Sequence, residues 1–157
     1  MSQSGIQYLS KEKYEELRIE LENLKTVKRK EIAEALDYAK KLGDLSENAE
    51  YHDAREQQGK LEDRIVYIEN LLKTAQISED SNTSGDSINV GSIVEVQKED
   101  GVKMKCKIVG SEEADLVSGK VSHLCPLGKS LIGKRKGDKI VVNTPKGIAN
   151  YKVLNIE

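Results

Sequence analysis

Two long apolar seams, separated by a break of only a few residues, constrain this chain more than any other feature. The first follows Ser10, a residue type that suits a helix N-cap, and continues to Leu42 without a proline or glycine. Gly43 is placed to end that helix. The seam positions recur at steps of three and four: Tyr14, Leu17, Leu21, Leu24, Ile32, Ala35 or Leu36, Ala39 and Leu42, then Tyr51, Ala54, Gln58, Leu61, Ile65, Ile68, Leu72 and Ala75. The apolar side chains of neither seam are stable when exposed to water, and the break between the seams is short. The pattern therefore predicts that the two helices pack on each other as an antiparallel coiled coil.

Helix geometry sets the size and the regularity of this predicted hairpin. Thirty-odd residues at 1.5 Å each give an arm of roughly 45–50 Å. Two successive steps of four around Lys28 predict a stutter, which locally relaxes the supercoil.

The periodicity changes to two in the C-terminal half. Alternation over 102–108, a turn at Asp100-Gly101 and a preceding strand around 93–97 predict one strand pair. A second pair is predicted at 140–142 and 151–156, with a short helix over 126–132 between the two pairs. The predicted fold class is therefore α+β. The predicted domains are a hairpin over 1–77 with its tip at 43–47, a polar linker over 78–89, and a β-rich domain over 90–157.

Composition excludes several classes of function. Cys106 and Cys125 lie too far apart for a metal-binding pair, and free thiols buried in strands are expected, which fits a reducing cytoplasm. No apolar run approaches membrane-spanning length, and no phosphate-binding glycine motif is present. The formal net charge is −2, but residues 91–157 hold 12 basic against 8 acidic side chains, which favours an acidic or nucleic-acid partner.

The predicted turn between the helices carries two acids, Asp44 and Glu47, whose spacing supports two readings. As N-cap and third residue of the second helix, they form the Asp variant of a capping box. Alternatively, both carboxylates face outward and hold a divalent ion such as Mg²⁺, which prefers oxygen ligands. Two acids on an exposed turn make no tight site alone, so a partner must then supply the remaining ligands.

The stretch GDLSENAEYHDAREQQ and its flanking sequence resemble the coiled-coil arm of the Gre family of bacterial transcript cleavage factors, and the GreA type more than the GreB type. The run CPLGKSLIGKRKGDKIVVNTPKGIANYKV is similar to the second domain of that family, which has an FKBP-like fold. The resemblance spans essentially the whole chain in the same order.

The resemblance implies a transcription elongation factor that is not itself an enzyme. Such a factor inserts its hairpin tip into the secondary channel of bacterial RNA polymerase, where Asp44 and Glu47 share a Mg²⁺ with the polymerase and stimulate cleavage of backtracked RNA. A cytoplasmic monomer that binds no membrane is expected, and DNA binding is included among the expectations.

Further roles follow from the same resemblance. The resemblance implies that Lys40, Lys41 and Arg55 contact the RNA 3′ end, whereas solvated face charges or intrahelical pairs with Asp37, Glu56 or neighbours are the default explanation. Packing along the seam is the simpler role for Tyr51. The expected supporting residues of the tip are Ser46, Asn48, Glu50, Tyr51 and His52. The expected polymerase-docking residues are Cys125, Pro126, Leu127 and Gly128.

Three other functions are weighed against this one. A prolyl isomerase pocket needs aromatic walls, and residues 91–157 contain Tyr151 as their one aromatic residue. A structural coiled-coil adaptor, or a Gre-like inhibitor that occupies the channel without cleavage, would also use the hairpin. Neither of these two requires Asp44 and Glu47 to act on a metal.

Overall fold

The computed structural model describes residues 6–78 and 86–157 of the chain, with long helices in its first half and a β-sheet in its second. The elements in chain order are β1 Tyr8–Leu9, α1 Lys11–Asn23, a π-helical turn Leu24–Lys28, α2 Arg29–Lys40, α3 Ala49–Thr74, β2 Gln76–Ile77, β3 Ile93–Lys98, β4 Lys103–Val109, a 3-10 turn Ser111–Glu113, β5 Lys120–Ser122, α4 Pro126–Leu131, β6 Lys139–Thr144 and β7 Gly147–Ile156. This order confirms the predicted α+β class.

The contacts divide the described residues into two compact units. One unit comprises residues 14–74, and the other comprises 6–13, 75–78 and 86–157. The division predicted along the chain differs at the N-terminus, because β1 pairs with β2 and therefore joins the second unit. Most of the predicted linker, residues 79–85, lies outside the described residues.

The helical unit is an antiparallel hairpin in which α2 packs on α3. Cross-helix contacts join Asn48 to Ala39 near the turn, Arg29 to Glu62 further away, and Lys25 to Glu69 beyond that. This reversed order defines the antiparallel arrangement. The buried apolar side chains of the hairpin are Leu17, Leu36, Ala39, Ala54, Leu61, Ile65, Ile68 and Leu71. None of the helices within residues 6–78 and 86–157 is long and apolar enough to cross a membrane.

The structure decides between two alternatives at one position of the predicted seam and corrects the prediction at two others. Leu36, and not Ala35, is the buried alternative, since Ala35 is exposed. Leu71 is buried where the seam predicts Leu72, which is half-buried. Leu42 is 53% exposed because the helix has already ended at Lys40, so its side chain no longer follows the helical seam.

The predicted stutter coincides with the π-helical turn Leu24–Lys28. The Arg29 N–H donates to the Leu24 carbonyl, five residues back, and the Thr26 hydroxyl donates to the Glu22 carbonyl at 2.8 Å. A π turn accommodates one extra residue within a helix, which returns the seam to the partner helix after the two long steps.

The second unit contains a five-stranded sheet with the order β5-β4-β3-β7-β6. All neighbours in this sheet are antiparallel except β4 and β5, which run parallel. The sequence predicted the β3–β4 and β6–β7 pairs but not β5. Helix α4 contributes Leu131 to the core. The buried core is Ile88, Val94, Val96, Cys106, Ile108, Val121, Leu131, Ile140, Val142 and Val153.

Residues 6–10 pack on this sheet through contacts that the sequence did not predict. The buried His123 ring lies edge-on to Tyr8, and its Nε2 lies 3.0 Å from the Ile6 carbonyl oxygen. The Ser10 hydroxyl donates to the Glu113 carboxylate at 2.7 Å and also accepts from the Lys13 N–H, which confirms Ser10 as the helix cap. A Cβ at Gly110 would lie 1.7 Å from the Tyr8 carbonyl oxygen, so this close approach requires glycine.

Candidate functional site at the hairpin turn

Helix α3 begins at Ala49, four residues later than a cap at Asp44 would place it. Its cap is Asn48, whose Oδ1 accepts a hydrogen bond from the Tyr51 N–H at 3.0 Å. The capping-box reading of Asp44 and Glu47 is therefore wrong. Both acids lie in the turn before the helix, and neither accepts a hydrogen bond from the N–H groups at the start of α3.

Asp44 is held by its own turn. The Ser46 N–H and the Ser46 hydroxyl both donate to Asp44 Oδ1, each at 3.0 Å. These two hydrogen bonds lower the pKa of the Asp44 carboxyl from its ordinary value, because they stabilise the charged form. Since both bonds go to Oδ1, Oδ2 has no hydrogen-bond partner within the described part of the chain.

Glu47 is exposed, and its carboxylate has no ion-pair or hydrogen-bond partner among residues 6–78 and 86–157. A shallow surface depression of about 400 Å³ is lined by Asp44 and Glu47 together with Leu42, Asn48, Ala49 and Glu50. No group of three or more potential metal-ligating side chains occurs among the described residues. Carboxylate oxygens suit Mg²⁺, but this chain alone supplies too few of them for a complete site.

Asn48 joins the two ends of the turn. Besides capping α3, its Nδ2 donates at 2.6 Å to the Ala39 carbonyl in the last turn of α2, which also accepts the Leu42 N–H. Gly43 has φ of +133° and open space around its α-carbon, so the backbone conformation and not crowding favours glycine there.

The remaining predicted supporting residues differ in their contacts. His52 Nε2 lies 3.3 Å from the Ser46 carbonyl oxygen, and its ring is edge-on to the half-buried Tyr51 ring at 5.8 Å. His52 therefore contacts the backbone of the turn and neither of the two acids. The exposed Glu50 occupies the first turn of α3, where a negative charge is favourable.

The basic residues near the turn differ from those along the rest of the hairpin. Residues 14–74 contain eleven Lys and Arg side chains. Seven of these form ion pairs: Arg18, Lys25, Lys28, Arg29, Lys30, Lys60 and Arg64.

Lys40, Lys41 and Arg55 form no ion pair within residues 6–78 and 86–157. Glu56, an expected partner, pairs with Lys60 instead, and the Arg55 guanidinium donates to the neutral Gln58 at 2.6 Å. The alternative of intrahelical ion pairs with Asp37 or Glu56 is therefore wrong for these three cations, whereas the alternative of solvated face charges stays open. Their positive charge is not neutralised by a neighbouring acid.

The predicted docking segment opens helix α4. The Cys125 Sγ accepts from the Gly128 N–H at 3.3 Å and so caps the helix, with Pro126 in its first turn and Leu127 packed against the core. A Cβ at Gly128 would lie 2.0 Å from the Ser122 carbonyl oxygen. Both cysteines are free, as predicted, but only Cys106 lies in a strand. Burial raises the pKa of its thiol.

Comparison with known families agrees with this architecture. Residues 7–77 match a family model described as transcription elongation factor, N-terminal, and residues 82–157 match the model for the C-terminal part of GreA and GreB. Together the two models cover nearly all of the chain. The chain belongs to the GreA/GreB family of transcription elongation factors.

Individual relatives are similar over almost the full length. The transcription elongation factor GreA of Clostridium kluyveri is 47% identical over 141 residues, which cover 89% of each chain. The GreA of Clostridium acetobutylicum is 44% identical over 158 residues and covers both chains completely. Among solved structures, the GreA factor homolog 1 of Thermus thermophilus is 30% identical, with 98% of this chain and 99% of that chain covered and a TM-score of 0.43.

Proposed function

We propose that this transcription elongation factor stimulates the Mg²⁺-dependent cleavage of backtracked RNA by bacterial RNA polymerase. In this proposal the hairpin turn enters the secondary channel and brings Asp44 and Glu47 to the polymerase active site. The chain is then a cofactor of the polymerase and has no nuclease activity of its own. One observation carries the proposal: α3 is capped by Asn48, which leaves both acids exposed in the turn.

The donor set of the turn fits a shared magnesium site. Asp44 offers Oδ2, since Oδ1 is occupied by Ser46, and Glu47 offers a carboxylate without a partner in the described part of the chain. When bound, Mg²⁺ lowers the pKa of a coordinated water and stabilises the leaving oxygen of the phosphodiester. Asp44 and Glu47 orient the attacking water and contribute negative charge where the polymerase supplies the other ligands. The Ser46 bonds lower the pKa of Asp44 and so favour its charged form further.

The unpaired cations support contact with RNA near the same turn. Lys40 and Lys41 precede the acids by a few residues, and Arg55 lies on the helix that follows them. Lysine and arginine side chains that are not neutralised by acids attract phosphate groups. In this proposal they hold the displaced 3′ end of the RNA while the acids act at the cleaved bond.

The C-terminal unit supplies the docking surface in this proposal. Cys125 to Gly128 form a short capped turn at the start of α4, and the close approach of Gly128 to Ser122 fixes its backbone. We propose this turn as the contact to the polymerase near the channel. Action as a cytoplasmic monomer on the nascent RNA and binding to DNA stay predictions from the sequence.

A reconstituted cleavage assay tests the function. Purified bacterial RNA polymerase is stalled and backtracked on a template with 3′-labelled RNA, and the full-length chain is added with Mg²⁺. We expect release of short 3′ fragments only when polymerase and factor are both present. Asp44→Asn and Glu47→Gln should each reduce the cleavage rate on the order of 100-fold, because each removes a negatively charged metal ligand from the reacting centre.

Asp53→Asn serves as the matched control. It makes the same change of charge on α3, where Asp53 accepts a hydrogen bond from Gln57. Its cleavage rate should stay close to that of the unchanged chain. If Asp44→Asn and Glu47→Gln retain full stimulation, the acids have no role at the metal and the proposal is overturned. Binding to the polymerase without any cleavage would instead indicate the inhibitor or adaptor alternative.

A further inference from the structure

Tyr38, on the last turn of α2, is an aromatic side chain without a structural role of its own. Its side chain is 62% exposed, and within residues 6–78 and 86–157 it has no hydrogen bond and no ring partner. The other five tyrosines differ, because they are half-buried or contact a histidine ring or a guanidinium: Tyr8, Tyr14, Tyr51, Tyr67 and Tyr151. An amphipathic aromatic ring that packs against nothing in its own chain is available to contact a ligand.

The position of Tyr38 connects it to the acidic turn. Leu42 lies four residues further on, beyond the end of the helix at Lys40. The Lys41 and Leu42 N–H groups donate to the carbonyls of Tyr38 and Ala39, so the chain closes into a tight turn directly after the helix. Leu42 in turn lines the same depression as Asp44 and Glu47. The ring therefore lies on the last helical turn before the segment that carries the two carboxylates.

Charge beside the ring indicates what the ring binds. Lys41 lies three residues from Tyr38 on the same side of the helix, and neither Lys41 nor Lys40 is paired with an acid in the described part of the chain. A flat ring beside unneutralised cations is the combination that single-stranded nucleic acid uses: a base stacks on the ring while the phosphate contacts the lysine. An apolar protein surface would require no such charge.

We propose that Tyr38 is a stacking platform for the unpaired base at the 3′ end of the RNA, with Lys41 beside the adjoining phosphate. This inference rests on the proposed function, because the RNA reaches the turn only when the hairpin is in the polymerase. Stacking holds the displaced nucleotide at the helix end that leads into the turn with Asp44 and Glu47. Tyr38 is then an RNA-binding residue, whereas Asp44 and Glu47 act at the cleaved bond.

The experiment places 2-aminopurine at the 3′ terminus of the RNA in a backtracked polymerase complex, because stacking on an aromatic ring quenches its fluorescence. Full-length chains with Tyr38→Phe and Tyr38→Leu are compared with the unchanged chain at saturating concentration. Cleavage rates are measured with Mg²⁺. Fluorescence is measured with Asp44→Asn introduced into each of these chains, so that the RNA is cleaved slowly. Val66→Ala, which shortens another exposed apolar side chain of the hairpin, is the control.

We expect the unchanged chain and Tyr38→Phe to quench the probe and to support the same cleavage rate. Tyr38→Leu should lose the quenching and cleave about 5- to 150-fold more slowly, as expected for the loss of one base–aromatic contact. Val66→Ala should behave as the unchanged chain does. The inference is overturned if Tyr38→Leu still quenches and cleaves normally while Asp44→Asn abolishes cleavage.

Two other outcomes are distinguishable from that one. If Tyr38→Leu weakens binding of the factor to polymerase and leaves the fluorescence unchanged, the ring contacts the channel wall and not the base, which also overturns the inference. If the unchanged chain itself fails to stimulate cleavage, the proposed function has failed, and the stacking role fails with it.

Discussion

Replacement of Asn48 by alanine is the sharpest test of how the turn is built. Asn48 makes two side-chain hydrogen bonds, to the Tyr51 N–H at the start of α3 and to the Ala39 carbonyl at the end of α2. Alanine removes both bonds and leaves a helix without its cap. The turn then loses both side-chain bonds through which Asn48 joins it to the two helices.

The two lost bonds set the magnitude. Loss of an N-cap side chain costs about 1 kcal/mol. Loss of the partly buried bond to the Ala39 carbonyl costs about 1 kcal/mol more. The sum of about 2 kcal/mol corresponds to a roughly 30-fold rise in the population of the opened turn. Asn48→Ser keeps an N-cap acceptor but is too short to reach Ala39, so it should show about half of this free energy.

Amide hydrogen exchange followed by NMR measures the effect directly. The Tyr51 amide should exchange about 30-fold faster in Asn48→Ala, whereas an amide in the middle of α3, such as that of Ile65, should be unchanged. Cleavage stimulation should fall in the order unchanged chain, Asn48→Ser, Asn48→Ala. Equal exchange at Tyr51 in all three chains would refute the reasoning, because the cap and the bridge would then contribute nothing to the turn.

Three further predictions concern backbone space and charge. Gly59 lies inside α3 with open space around it, so Gly59→Ala should raise the free energy of unfolding by about 0.5–1 kcal/mol in a urea titration. Gly110→Ala should have the opposite sign and cost about 1–3 kcal/mol, because its Cβ would overlap the Tyr8 carbonyl; equal stability of the two variants would contradict the close contact. Ser46→Ala should raise the pKa of Asp44 toward its ordinary value in an NMR titration, since one of its two hydrogen bonds is lost. The stability that comes from the lowered Asp44 pKa is present above the pKa of Asp44 in the unfolded chain and is lost as pH falls through its pKa in the folded chain, so the Ser46→Ala chain should lose this contribution at a higher pH than the unchanged chain. An unchanged Asp44 titration would rule out the hydroxyl contact.

Local patterns predicted the helices and most of the sheet, because their determinants lie close together in sequence. The seam residues fixed both long helices, and Asp100-Gly101 fixed the β3–β4 turn, where Gly101 has φ of +91°. The start of α3 was harder to predict from the sequence. Asp44, Ser46 and Asn48 are all residue types that cap helices, and Asn48 is distinguished by a contact across the turn to Ala39 that no local pattern contains.

Contacts between distant residues account for the rest. Strand β1 pairs with β2 although Tyr8 and Gln76 are far apart in the chain, and His123 contacts the Ile6 carbonyl across an even longer separation. Two-residue strands carry too few side chains for a period-two signal. Whether Lys40 and Lys41 form ion pairs also depends on which acids pair with the other lysines, and the sequence alone leaves that open.

The π turn at Leu24–Lys28 determines where along the arm the chain length can change. Each residue of an α-helix rotates the chain by about 100°, and the π turn absorbs one extra residue without changing the faces of the residues that follow it. Deletion of one residue within it, such as Thr26, would therefore convert the wide turn into ordinary helix and leave Leu36 and Ala39 facing α3. An insertion elsewhere along α1 or α2 has no such compensating turn, so length changes in this arm should be tolerated at that one place and nowhere near the acids.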